Sequence, residues 1–176
     1  MKISLLTVIM MVFLFSGCAG RMMTLPPAPG MTVKADSRIN LEASAQKGKS
    51  PQKGLFAGDD FSLAWELSCS GDDFTFKGKV ALLPSLYNTF PKVEYFRLLV
   101  SFLDREGRVL SSEDLTPFYM YLQSMDKPFA VKKAGKIPAG TKAFAFSAKG
   151  SFHSELRDNN GSCELSTYPF EEGPQK

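Results

Sequence analysis

The residue whose chemistry is easiest to read from this sequence is Cys18. It follows Lys2 and an almost uninterrupted apolar run from Leu5 to Phe15. A low-charge segment of about fourteen residues is too short to cross a hydrocarbon core of ~30 Å as a helix, and this composition is typical of a secretory signal peptide. We therefore predict that residues 1–17 are a signal peptide and that the protein is exported.

The end of this segment, Phe15-Ser16-Gly17-Cys18, resembles the lipobox of bacterial lipoproteins, which usually has Leu, Val or Ile where this chain has Phe15. The resemblance implies that the Cys18 thiol receives a diacylglyceryl group and that Cys18 is the first residue after cleavage. The alternative is an ordinary cleaved leader that contains a cysteine. Ala19 differs from the aspartate that resembles an inner-membrane retention signal in enterobacterial lipoproteins. The resemblance therefore implies the periplasmic face of the outer membrane, if the cell has one.

Two further cysteines, Cys69 and Cys163, remain in the exported part of the chain. In an oxidising compartment, two cysteines in one domain are most simply explained as a disulfide. We therefore predict a Cys69–Cys163 bridge, which would add roughly 4 to 5 kcal/mol on the chain-entropy model. The alternative, a reactive or metal-binding thiol, would need more nearby ligands than the single histidine, His153, can supply.

The sequence offers little that could carry catalysis. His153 lies close to Ser151 and Ser154, but no nucleophile elbow, phosphate-binding glycine loop or pair of carboxylates at catalytic spacing accompanies it. Three oxygen-rich segments lack the ligand spacing of calcium loops and have the composition of turns: Asp59-Asp60, Asp72-Asp73 and Asp158-Asn159-Asn160. We predict a protein that is not an enzyme, with no catalytic residues, no metal and no cofactor.

The charges of the chain are unevenly distributed. Residues 19–54 carry six basic side chains against Asp36 and Glu42, whereas residues 55–176 carry fourteen basic and sixteen acidic side chains. A nucleic-acid-binding domain would concentrate positive charge on its folded part, so we expect no nucleic-acid partner. Prolines, glycines and polar residues in the basic segment predict a flexible tether over residues 18–54, beginning at the lipidated cysteine.

Further along the chain, apolar and polar residues alternate with a period of two, as in half-buried strands. The predicted strands are 61–69, 74–82, 93–104, 108–112, 118–122, 129–133, 143–149 and 163–167, and the first four form two hairpins. The fold class is therefore all-β: a single antiparallel β-sandwich with immunoglobulin-like rhythm over residues 55–176. Trp65 lies on the same strand as Cys69, unlike the immunoglobulin arrangement, so jelly-roll and fibronectin-like strand orders stay open.

Two segments between strands are rich in aromatic residues. They contain Leu86, Tyr87 and Phe90 in one case and Tyr119 and Tyr121 in the other. Such side chains either pack against the sheets or form a binding surface. We predict a membrane-anchored protein of the cell envelope whose non-catalytic sandwich binds an envelope protein or has a structural role. A carbohydrate-binding sandwich that uses the aromatic residues as stacking platforms is the first alternative, and a hydrolase centred on His153 is the second.

Overall fold

The structure, a computed structural model, describes residues 27–42, 50–117, 125–154 and 161–171. Its elements, in chain order, are a 3-10 turn (Ala35–Ser37), β1 (Ile39–Asn40), β2 (Gln52–Ala57), β3 (Phe61–Ser70), β4 (Asp73–Leu82), α1 (Pro84–Thr89), β5 (Lys92–Leu103), β6 (Val109–Asp114), β7 (Phe129–Lys136), β8 (Ala143–His153) and β9 (Ser162–Thr167). The predicted strand over 118–122 lies outside the described residues.

The strands form two antiparallel sheets. Sheet A has the order β1-β8-β5-β6, with β9 pairing to β8 beyond β1, and sheet B has the order β2-β3-β4-β7. β1 pairs with the first two residues of β8 and β9 with the last six, so the two short strands share one edge. The predicted antiparallel β-sandwich is confirmed.

The strand order differs from that of an immunoglobulin constant domain at one position. If β3 to β9 are lettered A, B, C, C′, E, F and G, the sheets are A-B-E and C′-C-F-G, preceded by the additional strand β2. In the constant domain the fourth strand pairs with E. Here β6 pairs with β5, because a tight hairpin joins them: Gly107 has a φ of 86°, and the Arg108 amide donates to Asp104 Oδ1 at 2.8 Å. Both predicted hairpins are confirmed.

Aromatic side chains fill the space between the sheets. The edge of Trp65 on β3 meets Phe144 on β8 at 5.2 Å between ring centroids, and Phe74 on β4 lies 5.1 Å from Phe102 on β5. The indole fits because Gly54, its partner on β2, has no side chain; a Cβ there would lie 2.5 Å from Trp65 Cζ2. The predicted inward residues of β5 are all buried: Phe96, Leu98, Val100 and Phe102.

Sheet A is also covered on its outer side. Outward-facing residues of β5 and β8, such as Leu103 and Ala145, are fully buried there with Val33 and Phe170 in a second, smaller core. Val33 belongs to residues 27–42, which we call the N-terminal arm. Because both faces are covered, β5 and β8 are buried along most of their length, as is usual for strands between two layers.

Backbone hydrogen bonds hold the arm in place. The Val33 amide donates to the Gly107 carbonyl at 2.9 Å, the Lys34 amide to the Pro169 carbonyl at 2.8 Å, and the Leu41 amide to the Lys142 carbonyl at 2.9 Å. For residues 27–42, these bonds correct the prediction of a flexible tether over residues 18–54; residues 18–26 and 43–49 lie outside the described residues. Residues 27–42 belong to the folded domain, because apolar side chains such as Val33 are buried against the outer face of sheet A.

A buried glutamine joins the arm to sheet B. The Gln52 side chain is 6% exposed; its Nε2 donates to the Asn40 carbonyl at 2.9 Å, and its Oε1 accepts from the Glu42 amide at 3.0 Å. One carboxamide thus satisfies two backbone groups of the arm. Gln52 is also the first residue of β2, so the folded part of the chain includes residues that the sequence assigned to the tether.

We expect Val33→Ala to lower the free energy of unfolding by about 1 to 3 kcal/mol, because it removes two fully buried methyl groups and leaves a cavity. Leu55→Ala is the matched control: Leu55 is 69% exposed, so its truncation should change stability by less than about 0.5 kcal/mol. Urea denaturation measures both. Equal effects of the two substitutions would mean that the arm is not part of the cooperative fold.

Candidate partner-binding surface

The first aromatic segment folds onto the core instead of forming an exposed surface. Pro84 begins α1, where its fixed φ suits the first helical turn and its missing N–H costs nothing. The short helix turns Leu86 inward, where it is 2% exposed, and packs Tyr87 and Phe90 against the main core. Tyr119 and Tyr121 lie outside the described residues. Tyr87 and Phe90, two of the four predicted aromatic side chains, are therefore half-buried.

The predicted disulfide is not present: Cys69 and Cys163 are both free thiols. The charge of Asp60, just before β3, raises the pKa of Cys163, so Cys163 lies near the start of β3. Cys69 is at the other end of β3. Nine residues of a strand span about 30 Å, and a disulfide needs Cα atoms within about 7 Å. The disulfide was predicted from the number of cysteines in one domain. It is wrong because the two cysteines lie at opposite ends of the sandwich.

Burial raises the pKa of the Cys69 thiol. Burial also raises the pKa of Cys163, and the negative charges of Asp60 and Glu164 raise it further. A thiol with a raised pKa carries less of the reactive thiolate at neutral pH. Both thiols should therefore react more slowly with alkylating agents at neutral pH, Cys69 because of burial and Cys163 because of burial and the charges of Asp60 and Glu164.

We expect the protein to keep two alkylatable thiols, Cys69 and Cys163, when it is denatured without reductant, and mass spectrometry after iodoacetamide treatment counts them. In the native state, Cys163 should react more slowly at pH 7 than a free cysteine, with a rate that still rises above pH 8.5 because its pKa is raised. Cys163→Ser supplies the control that removes this phase. If neither Cys69 nor Cys163 can be alkylated in the absence of reductant, the Cys69–Cys163 disulfide is present and the free thiols are contradicted.

The residues around His153 form a hydrogen-bonded cluster of a different kind from a catalytic triad. Glu94 Oε2 lies 2.9 Å from His153 Nε2 and accepts from Ser151 Oγ at 3.1 Å. Ser151 and His153 are two residues apart on β8 and share a face, and a bulge in β5 at Glu94 brings the carboxylate to both. Because Ser151 donates to the carboxylate and not to the imidazole, the cluster does not pair a nucleophile with its base.

A small cavity of about 90 Å³ lies on the outer face of sheet A, next to the first described residue, Pro27. Arg97 and Lys149 line it together with Tyr168, whose ring is 51% exposed and lies 4.9 Å from the Phe170 ring. Ligand pockets usually measure about 300 to 1,000 Å³. This cavity is too small for a ligand of that size, but it marks the side of the domain on which the chain arrives from its N-terminal region.

The outer face of sheet B carries a larger depression. It is a shallow groove of about 400 Å³ whose floor is the exposed Ala64 and the backbone of Gly54 and Gly78. Its rim consists of Lys53, Glu66, Lys77 and Lys79. We call this set of residues the lysine groove.

The strand register explains the position of these lysines. Lys53, Glu66, Lys77 and Lys132 lie side by side in one row across β2, β3, β4 and β7. Lys53 Nζ forms an ion pair with Glu66 Oε2 at 3.1 Å. Lys77 and Lys132 face each other directly, and like charges in this arrangement destabilise a sheet. Lys77 also lies opposite Glu66 on β3, so the row contains three lysines and one glutamate, with one direct like-charge pair.

No protein-family model, no curated protein and no solved structure matches this chain. Within the four described ranges, no group of three or more His, Cys, Asp or Glu side chains is placed to hold a metal ion. In the same part of the chain, no helix is long and apolar enough to cross a bilayer. The geometry of the surface is thus the basis for assigning a function.

The sequence predicts the orientation of two residues of the lysine groove but does not indicate the groove itself. The alternation in β4 places Lys77 and Lys79 on its solvent side, as the structure confirms. Lys53 joins them only through the pairing of β3 with β2 and with β4, and Lys132 lies beside the groove only through the pairing of β4 with β7. Pairing between strands so distant in sequence has no local signal, so the groove was not predicted.

We expect Lys132→Gln to raise the free energy of unfolding by a few tenths of a kcal/mol, because it removes the like-charge pair with Lys77. Lys142→Gln, at an exposed position before β8, is the control and should have a smaller effect. Urea denaturation at low salt measures the difference, which should shrink at high salt. A loss of stability in Lys132→Gln would contradict the repulsion.

Proposed function

We propose that this chain is a lipid-anchored protein of the bacterial cell envelope whose β-sandwich binds another protein and performs no catalysis. The leader of residues 1–17 and the lipobox-like sequence ending at Cys18 support the anchor. If the cell has an outer membrane, Ala19 supports its periplasmic face as the location. Lys77, Lys79 and the adjacent Lys132, which form no ion pair within the described residues, support the binding role, because a surface that costs stability is typical of a functional site.

The observation that carries the proposal is the packing of the N-terminal arm on sheet A. Because the folded domain already includes Pro27, only residues 19–26 separate it from Cys18. Nine steps along an extended chain reach on the order of 30 Å. A lipid on Cys18 would therefore hold the domain within about that distance of the bilayer, with the outer face of sheet A on the near side.

The carbohydrate-binding alternative depended on four aromatic side chains as stacking platforms. Tyr87 and Phe90 pack against the core, so they do not offer the open faces that sugar rings stack on. The hydrolase alternative depended on His153, whose contact with Glu94 leaves Ser151 without the imidazole as its base. We therefore favour protein binding over both alternatives.

We expect metabolic labelling with a palmitate analogue to mark the wild-type protein and to place it in the membrane fraction. Cys18→Ser should lose the label and release the folded domain into the soluble fraction, because residue 18 then carries no lipid. Cys163→Ser should keep both label and membrane association, which shows that loss of a thiol alone is not the cause. An unlabelled wild type together with membrane-bound Cys18→Ser would contradict the anchor.

A further inference from the structure

We propose that the lysine groove binds an acidic, partly apolar peptide segment of the partner protein. The inference rests on the proposed function in that the partner is a protein, and it adds the site and the chemistry of the bound segment. It does not depend on the lipid anchor, because every residue involved belongs to the described part of the domain.

The shape of the groove suits an extended chain. Ala64, with its small apolar side chain, is exposed at its centre, and the positions of Gly54 and Gly78, which face the core, present only backbone to the outer face. On the neighbouring strand the side chain of Leu55 is 69% exposed beside this floor. A peptide can place alternate apolar side chains on such a floor while its other side chains point to the rim.

The charge of the rim selects acidic side chains. On the outer face of sheet B, Lys53 pairs with Glu66 and Lys136 with Asp73. Lys77, Lys79 and Lys132 are exposed and form no ion pair within the part of the chain that the structure describes. Three neighbouring lysines that repel one another gain from a carboxylate placed between them, and this complementarity favours acidic over basic peptides.

Two observations favour a peptide over an anionic bilayer. The exposed lysines surround a small apolar area at Ala64 and Leu55, which one chain segment with alternating acidic and apolar side chains can cover. The groove also lies on the outer face of sheet B, whereas Pro27, which leads back to Cys18, lies on the outer face of sheet A. The groove and the point from which the chain leads back to residue 18 are therefore on opposite faces of the domain.

The test uses the full chain with Cys18→Ser, so that no lipid contributes. The probes are two fluorescent ten-residue peptides, one alternating glutamate with leucine and the other alternating glutamate with serine. Fluorescence anisotropy should show binding of both, tighter for the leucine peptide because of the apolar floor. Binding should weaken as salt is raised from 50 to 200 mM, because exposed charges are screened.

Two variants locate the binding. Lys77→Glu with Lys79→Glu should weaken binding of the leucine peptide on the order of tenfold or more, which corresponds to about 1.4 kcal/mol. Arg105→Glu with Lys142→Glu changes the net charge by the same amount at exposed positions of other loops and should leave the affinity within about twofold of that of the starting protein. Ala64→Phe fills the groove without changing any charge and should also weaken binding. Circular dichroism confirms that each variant is folded.

Several results would overturn the proposal. Equal losses in the two charge-reversed variants would mean non-specific attraction. Unchanged binding in Ala64→Phe, or equal affinity for the two peptides, would mean that the groove does not take part in binding. Binding to vesicles with about one third phosphatidylglycerol, without binding to either peptide, would assign the surface to a membrane. None of these results depends on whether Cys18 is acylated, so failure here is distinguishable from failure of the anchor.

Discussion

The structure depends on the burial of both faces of β5 and β8. Their inner faces meet the aromatic side chains of sheet B, and their outer faces would expose apolar residues such as Leu103 to water if nothing covered them. Burying an aliphatic side chain of this size is worth roughly 1.5 to 3 kcal/mol. The N-terminal arm supplies the cover through Val33, together with Phe170 from the C-terminal end. The domain is thus a sandwich with a partial third layer.

That third layer links the fold to the proposed function. An arm bound to sheet A shortens the connection to Cys18 and gives the two outer faces different surroundings. The face of sheet A receives the incoming chain, and the face of sheet B carries the lysine groove. Pro27, from which the chain leads back to the proposed anchor, and the proposed binding site are therefore on opposite faces of the domain.

The sequence predicted what is local and missed what is not. The hairpins around Ser70–Asp73 and at Gly107 were predictable, because alternation and turn chemistry lie within a few residues of each other. The arm was not, because Val33 is a single apolar residue whose partners are remote in the chain. The disulfide failed for a related reason: counting Cys69 and Cys163 gives no position along the strands.

The most direct test of this account is hydrogen exchange at the amides of Val33, Lys34 and Leu41. Val33 and Leu41 donate to carbonyls of loops next to the strands of sheet A, and Lys34 donates to a carbonyl of the segment after β9. Exchange should therefore be slowed by at least about a hundredfold relative to an unstructured peptide. Protection at these three amides would establish the arm as part of the domain. Exchange at the rate of an unstructured peptide would show a free tether and would contradict both the third layer and the short connection to the membrane.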